Sequence, residues 1–301
     1  MSFDLYFAGT QNEDCESFML KNNLCRLQSQ VNDRKNISRW CQEEVHGKLF
    51  IDSGAYTVYT RNIDLDVDEY IKYINSIDEH LTIFAQVDKI PGVHGQPKTK
   101  EQILEAPELS WKNYCYMRER VKSPDKLLPI FHRREDWKYL HQMLETTFDG
   151  KHIPYIGLAA TTDSSTKEKE IWFDKCFDII KKSSNPKVKT HAFGMTSLKL
   201  LERYPFTSAD STSWIMIGAN GNILTPFGLV TVSDSQQHLK NHISNNLGKK
   251  QLKKYLQSIG IELELVRTDY KYRMLANLIY LKNWSDNYSY KGSKITRKKL
   301  F

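Results

Sequence analysis

Cysteine is sparse and scattered: Cys15, Cys25, Cys41, Cys115 and Cys176 form no C-x-x-C or C-x-C pair. An odd, dispersed set argues against a disulfide framework and against a cysteine-rich zinc site. No apolar run reaches the roughly 18 residues that span a bilayer, so no membrane partner is expected. The opening Met1-Ser-Phe-Asp-Leu-Tyr-Phe-Ala-Gly9 lacks the basic start and long apolar centre of a signal peptide. It reads as a strand, and a cytoplasmic protein is expected. No G-x-G-x-x-G follows that strand, which lowers a Rossmann reading, and no phosphate-binding P-loop is present. No H-x-H or H-E-x-x-H spacing supports a metal, so neither metal nor cofactor is expected.

The 301 residues, 40% of them hydrophobic, suffice for one large domain or a domain plus a small appendage. Charge is uneven. Residues 235–301 hold 14 Lys/Arg against 4 Asp/Glu, whereas the other 234 hold 29 against 32. A basic tail suits a polyanion, because Lys and Arg displace condensed counterions from phosphates. It equally suits a solvated helical face with a frayed end.

Short apolar runs recur along the chain: 5–9, 49–56, 81–88, 127–132, 155–160, 188–194 and 207–211, with an irregular eighth candidate at 222–232. Segments with helical spacing alternate with them, at 15–24, 37–44, 67–77, 110–121, 136–144, 167–182 and 196–204. Such alternation predicts an α/β fold with a parallel sheet. Its length predicts a (β/α)8 TIM-type barrel over 1–234, followed by a small, basic, mainly helical C-terminal extension over 235–301. In such barrels the catalytic groups sit where the C-terminal strand ends converge. Here those ends supply Asp52, Asp88, His132, Gly157, His191 and Asp210. Each has an ordinary reading too. Asp52 and Ser53 can cap the next helix, Asp88 can make a turn, His191 can be a hydrogen-bonded core histidine, and Asp210 can be a loop aspartate.

Five motifs resemble the tRNA-guanine transglycosylase superfamily, in that family's order. Ile51-Asp-Ser-Gly-Ala-Tyr56 is similar to its D-S-G-G-F motif, and Val87-Asp-Lys-Ile-Pro-Gly92 to its second aspartate segment. Tyr155-Ile-Gly-Leu-Ala-Ala160 resembles its G-G-L-A strand. Lys189-Thr-His-Ala-Phe-Gly194, with Asp210 beyond it, resembles the run that leads to its nucleophile, and Ala219-Asn-Gly-Asn-Ile223 resembles its A-R-N-G segment. The compact length, the Tyr-Phe-Ala-Gly opening and the Arg273…Asn277…Trp284 pattern look most like the phage-encoded DNA branch, the DpdA group. Two departures stand out. The zinc subdomain is absent, which tilts the expectation toward a monomer. Ser211-Thr-Ser-Trp214 replaces the T-R pair after the nucleophile, which argues against tRNA.

The resemblance implies exchange of guanine in DNA for a 7-deazaguanine, such as free 7-cyano-7-deazaguanine, in a host cell cytoplasm if phage-encoded. It implies Asp210 as nucleophile, Asp52 as general acid and base, and Asp88 as acceptor for the purine N1–H and 2-amino group. Ser53, His132, His191 and the backbone around Gly157 and Leu158 complete the expected base pocket, with Tyr56 or Phe193 stacking on the purine. Lys249, Lys250, Lys253, Lys254, Lys271 and Arg273 are the expected nucleic-acid contacts. Three alternatives stay open: a DNA glycosylase with water as acceptor, a tRNA-guanine transglycosylase, and a barrel that only binds nucleic acid.

Overall fold

The computed structural model describes residues 3–9, 12–43, 47–160, 164–195, 197–236, 238, 243 and 249–292. Its main sheet begins with β1 (Asp4–Ala8), β2 (Arg26–Ser29), β3 (Leu49–Asp52), β4 (Leu81–Ala85), β5 (Leu127–Leu128) and β6 (Ile130–His132). A small antiparallel pair, β7 (Thr147–Phe148) and β8 (Lys151–His152), precedes the last three sheet strands, β9 (Tyr155–Ala159), β10 (Lys189–Phe193) and β11 (Ser208–Ser211). Neighbours all run parallel, in the order β5-β4-β3-β2-β1-β11-β10-β9-β6.

The two ends of that order, β5 and β6, are consecutive in the chain, with Pro129 between them. Proline has no N–H for a ladder, so the strand breaks there. The Pro129 carbonyl still accepts from the Gly157 amide at 2.8 Å, and the Leu128 carbonyl accepts from the Gln86 amide at 3.0 Å. One extended segment therefore holds β4 on one side and β9 on the other. The nine strands curl into a nearly closed, barrel-like sheet.

Helices α1 (Glu13–Lys21), α2 (Arg34–Gln42), α3 (Ala55–Thr60), α4 (Val67–Ser76), α5 (Lys100–Arg118), α6 (Trp137–Glu145), α7 (Thr166–Lys182) and α8 (Leu198–Arg203) fall between the strands. Capping boxes start α5, at Thr99 and Gln102, and α7, at Ser165 and Glu168. Period-two alternation splits the strand side chains into two layers. Tyr6, Phe50, Ile83, Ala85, Leu128 and Ile130 fill the interior. Leu5, Leu49, Ile51, Phe131 and Leu158 face outward into the same core as Ile74, Tyr114 and Phe173. Each such side chain, fully buried, contributes about 2 kcal/mol. Among the described residues no helix is long and apolar enough to cross a membrane.

Three features differ from the sequence reading. Strand β2 was not anticipated: its buried Arg26 meets Glu16 at 2.8 Å and stacks on Trp40, so polar groups occupy positions where an apolar pattern is sought. The irregular eighth candidate is instead a separate antiparallel hairpin, β12 (Asn222–Thr225) and β13 (Gly228–Thr231), outside the main sheet. Asp52 therefore ends the third strand, and Asp88 follows the fourth.

The third difference concerns the tail. After β11 come α9 (Ser213–Ala219), α10 (Lys249–Ser258), α11 (Leu263–Thr268) and α12 (Tyr270–Asp286). Met274, Leu278 and Leu281 of α12 lie in the same core as the barrel helices, and Phe3 stacks on Tyr288 with ring centroids 4.2 Å apart. The expected division at 234/235 does not coincide with a break in the core. Of the expected extension over 235–301, residues 237, 239–242, 244–248 and 293–301 lie outside the described residues.

Candidate active site

Asp52 is the last residue of β3, and its Oδ2 accepts from the Gly54 amide at 3.0 Å. Gly54 turns the chain into α3 at φ +78°, and a Cβ there would stand 2.4 Å from Val31 Cγ2. Only glycine satisfies both demands. Burial pushes the Asp52 carboxyl up to about 6; the Gly54 bond opposes this, and the charges of Asp88 and Asp210 reinforce it. Those two charges act on Asp52 because all three carboxylates share one barrel mouth.

Asp210, on β11, is 8% exposed. Its Oδ1 accepts from the Gly194 amide at 2.8 Å and faces His191 Nε2 at 3.1 Å. Among the described residues Oδ2 has no hydrogen-bond partner. Asp88 carries a donor on each oxygen: Gln86 Nε2 at 2.5 Å and His132 Nε2 at 2.9 Å. Burial acts to lower the His132 pKa, but the charge and hydrogen bond of Asp88, with Glu135 beyond, outweigh it and raise it to about 9. Glu135 accepts from the His132 amide at 3.0 Å, and burial pushes its carboxyl up to about 7. A cavity of about 490 Å³ opens beside Asp88, walled by Ala55, Val58, Tyr59, Val87 and Leu109. Asp52 and Asp210 do not line it.

The other expected pocket residues divide. A Cβ on Gly157 would meet Phe193 Cε2 at 2.5 Å, so glycine lets that ring lie against the β9 backbone at the top of the interior. Leu158 points outward into the helix layer, leaving only its backbone for a ligand. The Ser53 hydroxyl accepts from the Ala55 amide at 3.4 Å across the turn into α3, whose N-cap is Gly54. Tyr56 is 70% exposed at the start of α3.

Two expectations are corrected. His191 was expected to meet the base. It is fully buried, with Nδ1 against Ser208 Oγ at 2.5 Å and Nε2 against Asp210, so neither nitrogen is open to a ligand. Arg273 was expected to meet nucleic acid. It is buried, and its guanidinium donates to the backbone carbonyls of Gly218 and Val266 at 2.8 and 2.9 Å. Its helix-mate Asn277 accepts from the Leu224 amide at 2.6 Å. Trp214, in the segment that departs from the transglycosylase pattern, is fully buried and donates to the Ala8 carbonyl at 3.1 Å. By contrast, Lys249, Lys250, Lys253, Lys254 and Lys271 are exposed.

Gln86, Glu135 and Ser208 escaped the sequence reading, and Tyr155 and Gly194 stand in its motifs without a role of their own. One signal could have found Ser208: it lies two residues before Asp210, hence on the same face of its strand. No protein-family model matches this chain, and a comparison with characterised proteins returns no match.

Proposed function

We propose that the chain exchanges guanine in DNA for a free 7-deazaguanine through a covalent aspartyl-glycosyl intermediate. The observation that carries this reading is the convergence of Asp52, Asp88 and Asp210 on one mouth, with Asp52 pushed up to about 6. In the finer reading of the fold, β5 and β6 are one strand broken at Pro129. The sheet is then the eight-stranded core of a (β/α)8 barrel, and residues 235–301 are its basic helical extension.

The chemistry balances on these residues. Asp210 attacks C1′ of a flipped-out deoxyguanosine as the C1′–N9 bond breaks, and the electron pair passes to the purine, which takes a proton from Asp52. The incoming deazaguanine gives its N9 proton to the Asp52 carboxylate and attacks C1′. The C1′–oxygen bond breaks, and its electron pair returns to Asp210. A carboxyl poised near 6 can both give and take that proton at neutral pH. Two of the roughly four lone-pair sites on the Asp88 carboxylate are held by Gln86 and His132, and the others serve the purine N1–H and 2-amino group. The exposed lysines of α10, with Lys271, meet the phosphates.

The test uses labelled 7-cyano-7-deazaguanine with duplex DNA and, separately, tRNA. Label is expected in DNA and in no product of Asp210→Ala. Label confined to tRNA would move the substrate to RNA. Abasic sites without label would make the protein a DNA glycosylase.

A further inference from the structure

Behind Asp210 a chain of polar groups runs down through the barrel interior. Tyr155 Oη lies 2.5 Å from Ser208 Oγ, Ser208 Oγ lies 2.5 Å from His191 Nδ1, and His191 Nε2 lies 3.1 Å from Asp210 Oδ1. The register builds it: His191 on β10 is paired with Ser208 on β11, and Tyr155, Ser208 and Asp210 share the inward face of their strands. The imidazole is boxed by Phe193, Phe50 and Tyr6, with ring centroids at 4.6, 4.8 and 6.0 Å. Close packing on three sides fixes the ring plane.

One arrangement of protons satisfies the whole chain. A bare Nε2 lone pair facing a carboxylate oxygen is repulsive, so Nε2 carries its hydrogen and donates to Oδ1. If Nδ1 also carried one, Ser208 would donate to Tyr155, and the phenol proton would have no acceptor among the described residues. With Nδ1 bare, Tyr155 donates to Ser208, Ser208 donates to Nδ1, and each hydrogen has one acceptor. Oδ1 then receives two donors, His191 Nε2–H and the Gly194 amide, while Oδ2 receives none among the described residues.

We infer that Tyr155, Ser208 and His191 are positioning residues that clamp Asp210 by Oδ1 and present Oδ2 as the oxygen that bonds to the sugar C1′. The inference rests on the transglycosylase reading for the attacking bond; the hydrogen-bond chain itself does not. In the first half-reaction an Oδ2 lone pair forms the C1′–O bond as the C1′–N9 pair leaves with the base. Through that step Oδ1 keeps both donors.

The test has two arms. Nitrogen-15 NMR of the histidines in the resting protein reads the tautomer of His191 without substrate. A protonated Nε2 and bare Nδ1 are expected, and a protonated Nδ1 overturns the chain. The second arm measures base exchange in three variants. His191→Phe fits the aromatic box and is expected to lower kcat about 100-fold, the cost of misplacing a reacting group, with KM for DNA and free base unchanged. His191→Gln, which restores a donor near Nε2, is expected to recover about 10-fold of that loss. Adding Ser208→Ala to His191→Phe is expected to cost nothing more, because the two act as one unit. Unchanged kcat in a folded His191→Phe, or a rise in KM alone, overturns the positioning role. Wild-type protein that shows the expected tautomer but exchanges no base overturns the transglycosylase reading and the Oδ2 assignment with it. The hydrogen-bond chain stands in that case.

Discussion

Asp210 and Arg273 are both buried charges, 8% and 6% exposed, yet they sit in opposite circumstances. At the α9–α12 seam, Arg273 and Asn277 direct their donors and acceptors to backbone groups of Gly218, Val266, Trp214, Asn222 and Leu224. At the barrel mouth, Asp210 has one oxygen held twice and the other without a partner among the described residues, with the charge of Asp210 acting on a second carboxylate driven up to about 6. Burial of charge does not mark a site by itself. A buried group that ends its hydrogen bonds on backbone holds the fold together. A buried group left with an unused lone pair is a candidate for holding a ligand.

The largest effect that separates the two regions is truncation. Removing residues 235–301 strips Met274, Leu278 and Leu281 from the main core. Each such loss costs about 2–5 kcal/mol against a typical total stability of about 5–15 kcal/mol. The truncated protein is expected to be insoluble or molten by circular dichroism and calorimetry. A stable, cooperatively folded product would mean that the tail is a true appendage.

Point substitutions make the contrast sharper. Arg273→Met removes the guanidinium donor from the Val266 carbonyl and leaves the Gly218 carbonyl with backbone amides alone, and it is expected to cost about 2 kcal/mol in urea unfolding. Asp210→Asn keeps an acceptor for Gly194 and His191. It is expected to shift stability by less than about 1 kcal/mol while lowering exchange about 10⁴-fold or more. Equal stability losses at the two positions would erase the distinction.

Asp52 offers a test through pH. Its folded pKa is raised, so the folded state prefers the protonated acid. That preference favours folding at low pH and is lost as pH rises from about 4 through about 6. Asp52→Asn is therefore expected to stabilise the protein by about 1–2 kcal/mol at pH 8, after allowance for solvent at a half-buried group, and by nearly nothing at pH 4. In the proposed exchange, release of guanine needs the acid form, so formation of the glycosyl intermediate is expected to slow above pH ~6 in the wild type. The opposite pH trend in stability would show that Asp52 is held as a carboxylate by contacts of its own.

The smallest effect is on the lysine face. Changing Lys249, Lys250, Lys253 and Lys254 to Gln is expected to lower the log–log salt slope of DNA binding by about 0.9 per lost phosphate contact, with stability unchanged. An unaltered slope would give the polyanion contact to another face.

Much of this was legible in the sequence, for a physical reason. The strands at 49–52, 81–85 and 208–211 are short runs that end at, lead into or contain an aspartate, because one end of a parallel barrel must carry polar groups while its wall stays dry. Strand β2 was hidden because Arg26 and Gln28 are buried polar residues. The hairpin of β12 and β13 was mistaken for a barrel strand because its apolar alternation is the same locally, and partner choice is a long-range matter. In the candidate site, the positions of Asp52, Asp88 and Asp210 at one end of the sheet could be read from the strand pattern. His191 and Arg273 were misassigned because a sequence gives residue type and not which hydrogen bonds are already made. Ser208 and Tyr155 act only through cross-strand register, which a single chain does not display.

The central claim is that Asp210 bonds to the sugar of a guanosine in DNA. It is tested most directly by quenching the wild-type protein with duplex DNA in acid, digesting it, and reading the peptide that contains Asp210 by mass spectrometry. A deoxyribosyl adduct on Asp210, absent from Asp210→Asn and chased away by added 7-cyano-7-deazaguanine, is the predicted result. DNA carrying the new base with no adduct at Asp210, or an adduct on Asp52 or Asp88 instead, would contradict it.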